Sequence, residues 1–135
     1  MGEEIFIDAN IFLEIFLKDS KSEECKAFLN SLQERDRQAL TTDFILYSCI
    51  LQIQNKLKSV DSIKNAIIFF NSYPNLKVIR PAIYDIFSAV EIIEKEKLDF
   101  DDSLVVACMR TYGIEKLASL DRHFDKIRNI ERIKF

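Results

Sequence analysis

Three aspartates carry the chemical interest of this sequence. Asp8 follows the apolar, β-prone triplet Ile5-Phe6-Ile7, and Asp121 follows Lys116-Leu117-Ala118-Ser119-Leu120, which reads as a second such strand. Asp102 closes Leu98-Asp99-Phe100-Asp101-Asp102, a loop at the start of a helix expected over Ser103 to Tyr112 that ends at Gly113. If the strands are parallel and their crossovers right-handed, all three acids land on one edge of the sheet, far apart as they are in sequence. Carboxylates gathered within a few ångströms repel one another and take up protons unless a divalent cation sits between them. Hard cations such as Mg2+ or Mn2+ take oxygen ligands, with water and substrate phosphate completing the shell. Such a site lowers the pKa of bound water and stabilises a phosphodiester under attack, so the chemistry implied is metal-assisted phosphodiester hydrolysis.

The elements that must position these acids alternate between strand and helix. Ile11 to Lys18 is expected to be helical, and a second helix begins at Ser22-Glu23-Glu24 and runs through Cys25, Phe28, Leu29 and Leu32. Ala39-Leu40-Thr41-Thr42 forms the second strand, closed by Asp43. Phe44 to Ile53 is too long and too apolar for a surface strand, which predicts a helix buried on most of its faces with Asp43 as N-cap. Val60 to Ser72 is a further helix, stopped before Tyr73-Pro74-Asn75, and Lys77-Val78-Ile79-Arg80 the third strand. Ile83 to Lys97 is an amphipathic helix with Ile86, Phe87, Val90 and Ile93 expected on its inner face. A short helix near His123 to Ile127 and an edge strand over Glu131 to Phe135 complete the chain. This alternation implies crossover connections and a mostly parallel sheet of four to five strands.

Composition sets the outer bounds. With 135 residues, 48% hydrophobic and 30% charged, the chain reads as one globular domain over residues 1–135 that buries a core without staples. Two Gly and two Pro are too few for the turns of a sandwich or barrel. The three cysteines, Cys25, Cys49 and Cys108, each lie in an apolar helical pattern and read as reduced core thiols. No apolar run has the length of a membrane span and no leader pattern opens the chain, which points to the cytoplasm. A net charge of −3 argues against adhesion to nucleic acid through overall charge, while leaving room for a local basic rim or a bound cation.

Four blocks together resemble the PIN domain: Asp8-Ala9-Asn10 after the first strand, Thr41-Thr42-Asp43-Phe44 after the second, Phe100-Asp101-Asp102-Ser103-Leu104-Val105 opening a helix, and Ala118-Ser119-Leu120-Asp121-Arg122-His123-Phe124-Asp125 near the C-terminus. The resemblance spans nearly the whole chain and is most specific in the last two blocks. It implies a three-layer α/β/α fold, a central parallel sheet with helices on both sides. It also implies an acidic metal site and the activity of a Mg2+- or Mn2+-dependent ribonuclease, as in VapC-type toxins of toxin–antitoxin pairs. On it Asp8, Asp102 and Asp121 are the catalytic metal ligands, and Asn10 resembles the polar residue supporting the first aspartate. The sequence departs from the pattern at Ser48, which stands where these domains usually carry a glutamate. A hydroxyl there weakens cation binding and removes a group that could orient the attacking water.

Plainer roles compete at each position. Asp8, Asp102 and Asp121 could be helix caps or first-turn acids, and Asp99 and Asp101 surface acids rather than supports of the site. Glu14 could reach the site in place of the missing glutamate, although a solvated helix face explains it as well. Asp43 is most simply a cap. Thr42 either holds a water near the site or finishes its strand, and the lone His123 either contacts phosphate or lies on the surface. Arg122, Lys126 and Arg128 would form a basic rim for an RNA backbone or simply be solvated. The expected function is a metal-dependent endoribonuclease. Its alternative is a degraded PIN-like module that binds RNA or protein without cutting. The partners to look for are RNA, an antitoxin protein and a second copy of the chain, with Phe12, Phe16 and Phe28 as a surface for such a protein or as core.

Overall fold

The computed structural model describes residues 3–135. Five parallel strands, β1 (Ile5–Ile7), β2 (Ala39–Thr42), β3 (Leu76–Ile79), β4 (Lys116–Ala118) and β5 (Glu131–Ile133), lie in the order β3-β2-β1-β4-β5. Ile5 pairs with both Ala39 and Lys116, so the chain's path across the sheet reverses at β1. In a parallel sheet covered on both faces, the crevice at that reversal is where a ligand can enter. The five-strand sheet and the six helices around it form the α/β fold expected from the sequence.

The helices are α1 (Ala9–Phe16), α2 (Ser22–Glu34), α3 (Asp43–Leu57), α4 (Val60–Ser72), α5 (Ile83–Glu96) and α6 (Phe100–Tyr112). A 3-10 turn spans Arg122–Lys126. Strand residues Ile5, Phe6 and Ile7 are buried, and a cluster of Phe12, Phe16, Phe69 and Phe70 closes one layer, Phe12 meeting Phe70 edge-on at 4.9 Å. The Tyr73 hydroxyl donates to Leu29 O at 2.6 Å, joining the end of α4 to α2. The phenylalanines of α1 therefore serve the core. Cys25, Cys49 and Cys108 are free and buried, and burial pushes their thiols up to about 11, 12 and 12. α6 ends where Gly113 takes φ +66, a left-handed turn that glycine adopts without strain.

The structure corrects the sequence reading at several boundaries. α1 begins at Ala9 rather than Ile11, because Asp8 caps it directly. Thr42, not Asp43, caps α3, its Oγ1 accepting from Ile45 N–H at 3.1 Å. α6 begins at Phe100, which moves Asp101 and Asp102 from a loop into its first turn. β3 runs one residue earlier and β4 stops at Ala118, the chain turning away at Ser119.

Two helices differ more deeply. α3 buries only the stripe Ile45, Cys49 and Ile53, and exposes Tyr47 and Leu51. α5 buries Asp85, Ala89 and Ile92, exposes Ile86, Phe87 and Val90, and leaves Ile93 half-buried, where the sequence reading places the last four inward. One Asp85 oxygen accepts from Ala82 N–H (2.8 Å) to cap its own helix, and the other accepts from Thr111 Oγ1 of α6 (2.6 Å). This pair, with the small Ala89 allowing close approach, sets the rotation of α5 against α6 and leaves Phe87 71% exposed. Truncating Phe12 (Phe12→Ala) should accordingly cost about 3–5 kcal/mol in urea unfolding, whereas Phe87→Ala should shift stability by no more than about 0.5 kcal/mol. Equal losses would contradict the observed orientation of α5.

Candidate metal centre

At the carboxyl ends of β1, β2 and β4 the chain spends its polar groups on one another. Asp8 N–H donates to Ala118 O at 2.9 Å, and the Asp8 side chain caps α1 through Ala9 N–H at 2.8 Å. Its second oxygen accepts from Ser119 Oγ at 2.7 Å and from Asn10 Nδ2 at 3.4 Å. Ser119 Oγ in turn accepts from Asn10 Nδ2 (3.2 Å) and Asp121 N–H (3.1 Å), which uses its one proton and both lone pairs. Asn10 Oδ1 accepts from Leu120 N–H at 3.0 Å, and Thr41 Oγ1 donates to Ile7 O at 3.0 Å. Asp8 is thus fixed in place while only 7% exposed.

The other acids come from α6 and the 3-10 turn. The Asp102 carboxylate lies in the first turn of its helix, and Asp121 caps the 3-10 turn by accepting from His123 N–H at 2.9 Å. His123 Nδ1 stands 3.0 Å from Asp121 Oδ1 and 3.8 Å from Asp102 Oδ2. One ligand atom from each of Asp102, Asp121 and His123 falls within 4.8 Å of the others. Asp8 is outside that trio, its oxygens engaged with their donors, but its charge is felt there. Burial, then the like charges of Asp101, Asp8 and Asp121, push Asp102 up to about 7, with His123 opposing. Burial pushes Asp8 up to about 6 against the hydrogen bonds from Ser119 and Ala9.

A cavity of about 90 Å3 opens beside Asp8, with Thr42, Ser48, Gln52 and Asp101 among its lining. Past its Thr42 cap, α3 contributes a hydroxyl and an amide to this space and no carboxylate. Glu14 does not fill the gap, since its Oε1 accepts from Lys21 N–H at 2.7 Å. Asp43 lines a separate apolar groove with Phe44, Tyr47 and Ile83, and Asp99 stands at the cap position of α6. The expected basic rim breaks up. Lys126 Nζ donates to Glu96 O at 2.6 Å, Arg128 lines a cavity beside Gly113, and only Arg122 lines a cleft next to Asp121. Sequence reasoning missed Ser119 and Gln52 as members of this arrangement. A small hydroxyl residue two positions before Asp121, at the end of an apolar strand, was the available signal for Ser119. Gln52, one helical turn after Ser48, gave none.

A PIN domain family model matches residues 5–130. Among solved structures, the chain is similar to the sarcin-ricin loop cleaving toxin VapC20 of Mycobacterium tuberculosis. The two share 17% identity over 90% of this chain and 92% of that one, at a TM-score of 0.75. It is also similar to VapBC2 of Rickettsia felis bound to a promoter DNA fragment (16%, 96% and 97%, 0.74) and to a toxin–antitoxin complex from Klebsiella pneumoniae (15%, 94% and 95%, 0.71). No curated protein matches the sequence significantly.

The carboxyl pKa shifts have a signed consequence. Asp102, at about 7 when folded against 3.8 ordinarily, binds more protons folded than unfolded between those values. Its contribution is therefore fully present below about pH 4 and lost as pH rises through 7. In EDTA at pH 8, Asp102→Asn should be more stable than the parent by on the order of 1–2 kcal/mol, and the gain should close below about pH 4. A variant that melts lower at pH 8 would contradict this.

Proposed function

The chain belongs to the PIN domain family, and on that premise we propose that it is a divalent-metal-dependent endoribonuclease, the toxin of a toxin–antitoxin pair. The observation that carries this reading is the group Asp102, Asp121 and His123, with ligand atoms within 4.8 Å and Asp8 beside them at the reversal point of the sheet. Among the described residues no lysine or arginine is ion-paired with these acids; their one such partner is His123. The carboxylate oxygens of this group fit Mg2+ or Mn2+. The bound ion would supply Lewis-acid polarisation of a phosphate oxygen and a lowered pKa for water.

The chain's own residues do the rest. Asp102 and Asp121 would hold the ion, and Asp8 would add the third carboxylate, oriented by Ser119 and Asn10. Ser119 and Asn10 keep that carboxylate from rotating, so its charge is aimed before substrate arrives. His123, exposed at the rim, can ligate or donate to a phosphate oxygen. Support for the toxin reading comes from the fold shared with toxins and toxin–antitoxin complexes. Tyr47, Leu51, Ile83, Phe87 and Val90 on α3 and α5 are apolar and exposed, which suits an antitoxin or a second copy as partner. Among the described residues no helix is long and apolar enough to cross a membrane.

Ser48 favours a second reading, a module that binds RNA or protein without cutting, because α3 brings no carboxylate to the cavity beside Asp8. Two measurements separate them. Mn2+ at a hundred times its dissociation constant should stabilise the fold by roughly 2.7 kcal/mol, and Asp8→Asn or Asp121→Asn should remove most of that gain. Mn2+-dependent cleavage of labelled RNA by the unaltered chain supports the nuclease. Metal binding without cleavage, with activity appearing in Ser48→Glu, supports the module.

A further inference from the structure

A cleft of about 390 Å3 is lined by Lys21, Arg122, Asp125, Arg132 and Lys134 together with Leu120 and Phe135, the two chain neighbours of Asp121 among them. Resting on the nuclease reading, we propose that this cleft seats the phosphate backbone of single-stranded RNA and leads it to the acidic centre.

Four cationic side chains face one carboxylate in this cleft, in a chain whose net charge is −3. The carboxylate is already taken: Arg132 grips Asp125 in a two-pronged bond, Nε to Oδ1 at 2.8 Å and Nη2 to Oδ2 at 3.2 Å. Among the described residues Arg122 and Lys134 have no ion-pair partner, and Lys21 reaches Glu24 only at 3.8 Å with both side chains about half exposed. Such an exposed pair contributes little and gives way to a competing anion. The uncompensated charge is therefore available to an anion from solvent. The cations come from three separate stretches of chain and line a space larger than one phosphate, which suits a string of phosphates.

Position links the cleft to the site. Leu120 and Arg122, both in its lining, are the chain neighbours of Asp121. Arg132 Nη1 donates to Ser119 O at 3.2 Å, so the guanidinium that forms part of the wall also braces the residue whose hydroxyl holds Asp8. A backbone approaching a cluster of carboxylates is repelled unless cations neutralise its phosphates, and here they stand immediately beside that cluster. Each such contact releases counterions and makes binding salt-dependent, with a slope of about 0.7 per phosphate for single strands.

The test is RNA binding measured in EDTA, where cleavage cannot interfere, by anisotropy of a labelled single-stranded RNA across a salt series. The double variant Arg122→Ala, Lys134→Ala should lower the slope of log Kd against log salt by about 1.4 and weaken binding at least about tenfold near 0.1 M salt. Its melting temperature should move little, since among the described residues neither side chain has an ion-pair partner and their one charge interaction is with exposed Asp125. Arg132 is left intact because its removal would release Asp125 and Ser119. The control Lys95→Ala, which removes a cation on α5, should leave slope and affinity unchanged. A double variant that binds like the parent overturns the cleft, and the nuclease reading survives if the parent still cuts RNA with Mn2+. A parent that binds no RNA in EDTA also overturns it. Displacement of RNA by inorganic phosphate beyond what equal ionic strength of chloride achieves would mark a single-anion site and overturn the backbone assignment.

Discussion

The 2.7 Å hydrogen bond from Ser119 Oγ to Asp8 Oδ2, spanning 111 residues of sequence, is the contact on which the arrangement of this molecule turns. A carboxylate buried to this depth is costly to keep charged, and only donors already in place make the position tolerable. Those donors exist because β1 and β4 are neighbours in the sheet and end at the same level, Ile7 opposite Ala118. The residue after each strand then turns its side chain toward the other. Asn10 and Thr41 complete the arrangement from α1 and β2, so four segments are fixed by one small polar knot.

The consequence for energetics is a fold that works against itself locally. The charges of Asp101 and Asp121 raise the proton affinity of Asp8 and Asp102, and among the described residues the one cationic partner these acids meet is an exposed imidazole. The apolar layers on either side of the sheet carry that cost. Cations gather in the neighbouring cleft instead, Arg132 held by Asp125, Lys21 near Glu24, and Arg122 and Lys134 without an ion-pair partner among the described residues.

Much of this was readable in the residues, and the failures share a cause. The apolar triplet ahead of Asp8, the stop at Gly113 and the alternation of elements all reflect local chemistry, and the observed sheet follows them. The convergence of Asp8, Asp102 and Asp121 on one edge followed from handedness alone. What local pattern could not supply was the rotation of α5. Its strongest apolar stripe faces outward because Asp85 answers Thr111 across a helix interface, a pairing visible only in three dimensions. The same holds for Ser119, whose partners lie more than a hundred residues away, and for the cleft cations, which gather from both ends of the chain. Of the two readings of Glu14, the one that carried it to the site is excluded by a backbone N–H seven residues on that takes its carboxylate.

The strand order has a bearing on how the protein is made. β1 emerges first from the ribosome, yet its neighbour β4 and the brace Arg132 come from the last fifth of the sequence. A growing chain carries Asp8 through 111 further residues before Ser119 is made to meet it. Parallel pairing of such distant segments is slow and late. The acidic edge and the basic cleft are therefore assembled together, once β4 and Arg132 have been made, and a chain stopped before them has neither.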